Sequence, residues 1–131
     1  NRGVVEAMAV APQNDALARA PRKPEFLFVE GGRRVLSDGE QSLELIDFGP
    51  NPHAREMLVA WLPKQRVLFQ GDLFFVPNND APVGPPQTST LDFAKKLQEK
   101  GLAPQRIASV HGRTATIEEF RSALEGNPGR N

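Results

Sequence analysis

Apolar positions fall in short clusters, and their spacing changes character along the chain. Between Glu25 and Gln70 the clusters are EFLFVE (25–30), RRVL (33–36), SLELIDF (42–48), MLVAWL (57–62) and RVLFQ (66–70). Each is short and flanked by Gly, Pro or Asp-Gly, which is the signature of strands and turns. Glu25–Glu30 and Arg33–Leu36 face each other across Gly31-Gly32, which predicts a hairpin, and Ser37-Asp38-Gly39 predicts the next turn. The clusters 57–62 and 66–70 are separated by Pro63-Lys64-Gln65, which predicts a second hairpin. Their continuous apolar character predicts burial on both faces. In 42–48, Leu43, Leu45 and Asp47 alternate with Glu44, Ile46 and Phe48, so a strand is expected while its buried face stays open.

The spacing becomes helical at both ends. Val4, Val5, Met8 and Leu17, with scattered Ala, predict one or two helices over 4–19, interrupted at Pro12 because proline cannot donate a helix hydrogen bond. Pro21 and Pro24 enclose a basic linker. Leu91, Ala94 and Leu97 predict a helix over 91–100, with Ser89 or Thr90 as its cap and Gly101 as its end. Arg106–Val110 predicts a short strand. Thr116 with Glu119 three residues later predicts a capping box on a helix reaching Leu124, closed by Gly126. Gly49-Pro50-Asn51-Pro52 must be a loop, and Val76–Thr88 is a long proline-rich one of the kind that carries function or lacks order. Strands followed by helix, strand and helix give an α/β layered body. We read one domain over 1–131: a helical and linker segment (1–24), the sheet and helices (25–126) and a tail (127–131).

Composition narrows the possibilities. The chain has 131 residues with 16 basic and 16 acidic side chains, so its formal charge is zero. Neither a net basic field nor an uninterrupted basic stripe is present to hold nucleic acid, because Glu25 and Glu30 break up Arg19, Arg22, Lys23, Arg33 and Arg34. No apolar run approaches the roughly 20 residues of a membrane span, so neither nucleic acid nor membrane is expected as a partner. With no cysteine, disulfides, thiolate metal sites and a cysteine nucleophile are excluded.

Candidate chemistry lies just past the expected strand ends. The only two histidines are His53, in the loop after 42–48, and His111, directly after 106–110. Asp72 follows Gly71 at the end of VLFQ. Loops after strand ends are where α/β folds gather catalytic and ligand groups, and two imidazoles with a carboxylate suit zinc or a similar divalent ion. Taken singly, such a histidine is more often a hydrogen-bonding group than a ligand, and an aspartate after glycine is an ordinary turn residue. Spacing alone does not choose.

The segment LIDFGPNPHAREMLVAWLPKQRVLFQGDLFFVP (45–77) resembles the middle of a metallo-β-lactamase-superfamily hydrolase: a loop histidine, a strand, a turn, a second apolar strand and then Gly-Asp. ASVHGR (108–113) resembles that family's last strand and final His-Gly. The resemblance implies the C-terminal half of an αββα sandwich, a mixed sheet with helices on one face. It implies that His53, Asp72 and His111 are metal ligands, with Asp72 bridging two ions, and that the complete enzyme carries one or two zinc ions. No side chain of this chain is implied as a nucleophile. Arg113, beside His111, could steer an anionic substrate into binding, or form a surface salt bridge instead. The loop 77–88 should border the cleft and shape access for a small-molecule substrate.

The family's His-x-His-x-Asp-His motif is absent, and two histidines cannot supply it. Asn1 falls shortly after the place where that motif lies in the family, so the chain reads as the C-terminal portion of a metal-dependent hydrolase, inactive without the N-terminal half. One facing sheet is then missing, and Phe26, Phe28, Leu58, Ala60 and Phe69 become candidates for exposure. The expected partner is the missing half, or a second copy in a homodimer. The alternative is a non-catalytic binding or assembly module retaining the scaffold and at most one metal. The aromatic residues, Trp61 and eight Phe, are expected in the core.

Overall fold

The computed structural model describes residues 2–10, 25–79, 81 and 83–126. The expected break at Pro12, the second helical stretch, the basic linker and the tail lie outside the described residues. The elements are α1 (Arg2–Val10), β1 (Arg33–Ser37), β2 (Ser42–Asp47), β3 (Leu58–Leu62), β4 (Val67–Gln70), α2 (Thr88–Glu99), β5 (Arg106–Ser109), β6 (Ala115–Thr116) and α3 (Ile117–Leu124). The strands form one mixed sheet in sequential order, β1-β2-β3-β4-β5-β6. All neighbours are antiparallel except β4 and β5, which run parallel and are joined through α2. Among the described residues no helix is long and apolar enough to cross a membrane.

The first hairpin differs from expectation. Residues 25–30 form no strand, and β1 pairs with β2, Arg33 opposite Ile46 and Ser37 opposite Ser42. The Ser37–Gln41 turn explains this choice. Asp38 Oδ1 accepts from the backbone N–H of Glu40 at 3.0 Å and of Gln41 at 2.7 Å, while Ser37 Oγ donates to the Gln41 carbonyl at 2.8 Å. A turn locked by its own side chains outweighs a Gly-Gly link that offers none. The same backbone donors, Gln41 foremost, hold the Asp38 carboxyl below the ordinary carboxylate value. Residues 25–30 are tied down by side chains instead: Arg34 donates to the Phe28 carbonyl at 3.1 Å, and the Arg2 guanidinium stands 3.8 Å over the Phe28 ring.

The sheet has one closed face and one open face. Ile46, Val59, Trp61, Leu68 and Ile107 point to the closed side and are buried, together with Phe93 and Leu97 of α2 and Phe120 and Ala123 of α3. Phe74, Phe93 and Phe120 meet edge to face, with ring centroids 4.9 and 5.4 Å apart, and make the centre of this layer. The alternation resolves β2, whose Ile46 and Phe48 enter the core. The other face carries a row in register, Leu45, Ala60, Phe69 and Ala108. Phe69 is 45% exposed, and Leu58 on the same face 50%. Burial of β3 and β4 on both faces is therefore corrected, because Leu58 and Phe69 stay exposed on the face opposite the one that packs with α2 and α3. Leu58 and Phe69 are exposed as anticipated, whereas Phe26, Phe28 and Ala60 are partly buried. Trp61, Phe48, Phe74, Phe93 and Phe120 are core, but Phe69 and Phe75 are not.

The helix caps divide. α3 begins with the expected capping box, Thr116 and Glu119 each bonded to the other's backbone N–H. α2 begins earlier than expected, and its N-cap, Gln87, makes no side-chain cap. Thr90 is not a cap: it is buried, and its hydroxyl donates to the Leu73 carbonyl at 3.0 Å. The core-facing side of α2 is Thr90, Phe93 and Leu97, while Leu91, which shares the helical spacing with Leu97, is 51% exposed.

Candidate functional site

The topology determines where the candidate residues meet. β2, β4 and β5 point the same way, since β3 is antiparallel to both β2 and β4 and β5 is parallel to β4. Their C-terminal ends share one edge of the sheet, the place where open α/β sheets collect ligand-binding loops. Gln70 pairs with Ser109 in the β4–β5 register, so Asp72 and His111, each two residues further on, emerge side by side. His53 arrives from the loop after β2.

That loop is shaped by local hydrogen bonds. Asp47 Oδ1 accepts from Gly49 N at 2.7 Å, and Asn51 Oδ1 accepts from the N–H groups of His53 and Ala54, both at 2.9 Å. Lys96 of α2 donates to the carbonyls of Phe48 and Pro50, each at 2.5 Å, which fastens the loop to the helix layer. The His111 loop is held by a close backbone approach: Gly112 has φ +77°, and a Cβ there would lie 2.1 Å from the Val76 carbonyl oxygen. Arg113 N donates to that same oxygen at 2.9 Å.

The structure brings His53, Asp72 and His111 together. Asp72 stands in the middle, with Oδ2 3.2 Å from His53 Nε2 and Oδ1 3.3 Å from His111 Nε2. The carboxylate thus offers a different oxygen to each imidazole. The three side chains are 39%, 47% and 71% exposed for Asp72, His53 and His111 respectively, open enough to meet a ligand. Among the described residues, no group of three or more His, Asp or Glu is arranged to hold a metal ion. The cluster is two imidazole–oxygen pairs sharing a carboxylate, not three donors around one point.

A cleft of about 710 Å³ opens beside them. Its lining includes His53, Asp72 and His111 together with the apolar Phe75, Pro77, Val83, Pro85 and Pro86. The proline-rich loop therefore borders the cleft, as the resemblance implies. Arg113 does not line this cleft. Its guanidinium grips Glu119, Nη2 to Oε1 at 2.6 Å and Nη1 to Oε2 at 3.2 Å, which is the salt-bridge alternative. These bonds, more than any other contact, hold the Glu119 carboxyl below its ordinary value.

Sequence reasoning missed two groups that shape the site. Gln70 is fully buried at the end of β4: its Oε1 accepts from Leu73 N at 2.9 Å, and its Nε2 donates to Ser109 Oγ at 2.7 Å and to the Phe74 carbonyl. A lone amide closing an apolar run, directly before Gly-Asp, was the available signal. Lys96 left none, since a lysine on an amphipathic helix reads as solvated.

No protein-family model matches the chain, and no curated protein does. Solved structures match in fold. A metallo-β-lactamase from Pontibacter korlensis aligns at TM-score 0.54 and 20% identity, covering 84% of this chain and 51% of that one. A metallo-β-lactamase superfamily protein from Sulfolobus tokodaii aligns at TM-score 0.50 and 19% identity, covering 72% and 36%. A chemotaxis sensor described with a peroxy diiron species aligns at TM-score 0.52 and 16% identity, covering 76% and 50%. The chain has the metallo-β-lactamase fold and spans one third to one half of the length of these structures, consistent with a C-terminal portion of it.

Proposed function

We propose that this chain is the C-terminal portion of a metal-dependent hydrolase, in which His53 and His111 would each hold metal together with one oxygen of the shared Asp72 carboxylate. The observation that carries the reading is the division of the Asp72 carboxylate between two imidazoles. Two donors each about 2.0–2.1 Å from one tetrahedral zinc ion lie about 3.3–3.4 Å apart, close to the separation of each imidazole–oxygen pair. The donor set therefore fits zinc, two ligands to each ion, with the others to come from outside this chain. A bound zinc ion supplies Lewis acidity and a water that ionises near neutral pH.

The chain's own residues do the rest. Asn51 and Lys96 fix the direction from which His53 approaches. Phe75, Pro77 and Pro85 give an apolar surface against which the non-reacting part of a small-molecule substrate can lie and exclude water. Arg113, committed to Glu119, secures the start of α3 behind His111 and takes no part in substrate binding in this reading. The open sheet face, with Leu58, Phe69 and Val110 at 50%, 45% and 55% exposure, docks a second sheet from polypeptide outside this chain. The excess length of the structures it matches supports that occupant.

ZnCl2 added to the chain should shift the NMR signals of both imidazoles together, and Asp72→Asn should abolish both responses. A response by one histidine alone, or one that survives Asp72→Asn, overturns the shared site. Sedimentation analysis tests the docking face: the chain should associate with a polypeptide supplying the other half, and a monomer that ignores it, or a stable homodimer burying Phe69, refutes that occupant. Hydrolysis is then tested on the assembled protein with lactam, thioester, lactone, ester and phosphodiester substrates. The second reading, a non-catalytic binding module, draws on the lack of a three-ligand group among the described residues. It predicts metal uptake by the assembly with no turnover of any of these.

A further inference from the structure

The turn that presents Asp72 is held from inside the sheet. Gln70 and Ser109 face each other in the parallel register, and both side chains reach the next turn. Gln70 Oε1 takes the Leu73 N–H at 2.9 Å, its Nε2 donates to Ser109 Oγ at 2.7 Å and to the Phe74 carbonyl, and Ser109 Oγ donates to that carbonyl at 2.6 Å. Thr90 holds the Leu73 carbonyl from the helix side at 3.0 Å. The peptide groups following Asp72 are thus bonded on several sides, while the Asp72 carboxylate stands between two exposed imidazoles. Gln70 is fully buried, and burying a carboxamide where Leu or Val would fill the layer is costly unless every polar atom is paired. Here both ends are paired, and with groups of the one turn.

We propose that Gln70 is the positioning residue for Asp72: its carboxamide, with Ser109 as second anchor, fixes the 71–74 turn so that one carboxylate oxygen faces each histidine. The functional meaning of this rests on the metal-centre reading, while the geometric claim does not. Gln70 touches neither substrate nor metal, so its effect passes entirely through the turn.

The test compares three variants of the chain. Gln70→Met keeps the volume and removes all three hydrogen bonds. Amide exchange at Leu73 should accelerate about 3- to 10-fold, and the ZnCl2 concentration at half response should rise about 10- to 100-fold, as for other outer partners of metal ligands. Leu68→Ala removes core packing two residues earlier on the same face of β4, and should leave the zinc midpoint within about 3-fold of the parent despite a larger loss of stability. Should Gln70→Met fail to fold, Ser109→Ala keeps the amide and removes one anchor, and a zinc midpoint raised about 3-fold or more supports the proposal. Unchanged Leu73 exchange in Gln70→Met overturns it, as does a zinc midpoint that rises equally in Leu68→Ala. If the parent chain gives no zinc response, the metal reading fails, and Leu73 exchange alone decides whether Gln70 holds the turn.

Discussion

Replacing Gly112 by alanine tests whether the His111 loop depends on backbone approaching backbone. Two costs combine at this position. The φ of +77° lies in the left-handed region, where an L side chain costs about 1–2 kcal/mol. The new Cβ would also stand 2.1 Å from the Val76 oxygen, 3.0 Å from its carbon and 3.3 Å from the Phe75 ring. Relief requires the two segments to part by roughly 1 Å, enough to break the Arg113 N–H to Val76 bond, worth about 0.5–1.5 kcal/mol. The restricted unfolded chain returns about 0.4–1 kcal/mol. The net loss is about 1–3 kcal/mol, or about 4–11 °C in Tm for a chain of this size. Gly101→Ala is the control, since its φ is +63° but nothing lies within 4 Å of its Cβ. It carries the conformational cost without the clash, so about 1 kcal/mol is expected. Urea unfolding followed by circular dichroism gives both values. Equal losses at the two glycines would refute the close-approach argument.

Three further outcomes follow from packing and charge. Leu68→Ala should cost about 3–4 kcal/mol, whereas Phe69→Ala, next along the strand but 45% exposed, should cost about 1–2 kcal/mol in urea unfolding. A reversed order would mean that the closed and open faces have been interchanged. Thr90→Val should cost about 1–2 kcal/mol in the same assay because it strips the buried Leu73 carbonyl of its hydroxyl donor, and a neutral result would remove that bond from the account. Glu119 has a folded pKa lowered chiefly by Arg113, so its stabilisation is fully present above the ordinary value of 4.5 and is lost as pH falls through the depressed one. Glu119→Gln should therefore lower the urea midpoint at pH 7 and converge with the parent as pH falls through the depressed value, and a gap that stays constant on acidification contradicts the ion pair.

Much of the fold was legible because its signals are local. Short apolar runs between Pro and Gly marked β2, β3, β4 and β5, and the Thr116–Glu119 spacing marked α3. Failures arose where a side chain serves a distant segment. Thr90 looks like a helix cap and instead bonds Leu73, which no local pattern reveals. EFLFVE has strand composition, yet the turn at Ser37–Gln41 pairs β1 with β2 and leaves it outside the sheet. The double-sided burial read from LVAWL and VLFQ describes a sheet covered on both sides, whereas Leu58 and Phe69 are left exposed on one of them. Of the candidate cluster, the sequence order of His53, Asp72 and His111 was readable, but their convergence depends on β2, β4 and β5 ending on one edge. The roles of Gln70 and Lys96 require knowing which carbonyls those ends expose.

The parallel pairing of β4 with β5 also has a bearing on when the site comes into being. β1 to β4 form a meander of adjacent hairpins that closes through short loops, whereas Gln70 meets Ser109 only after the intervening loop and helix have been laid across the sheet. Contacts of such sequence separation carry the larger loop-closure entropy and tend to form late. His53 and Asp72 hang from the early part, His111 from the late part. The carboxylate therefore acquires both neighbours only when β5 is seated beside β4.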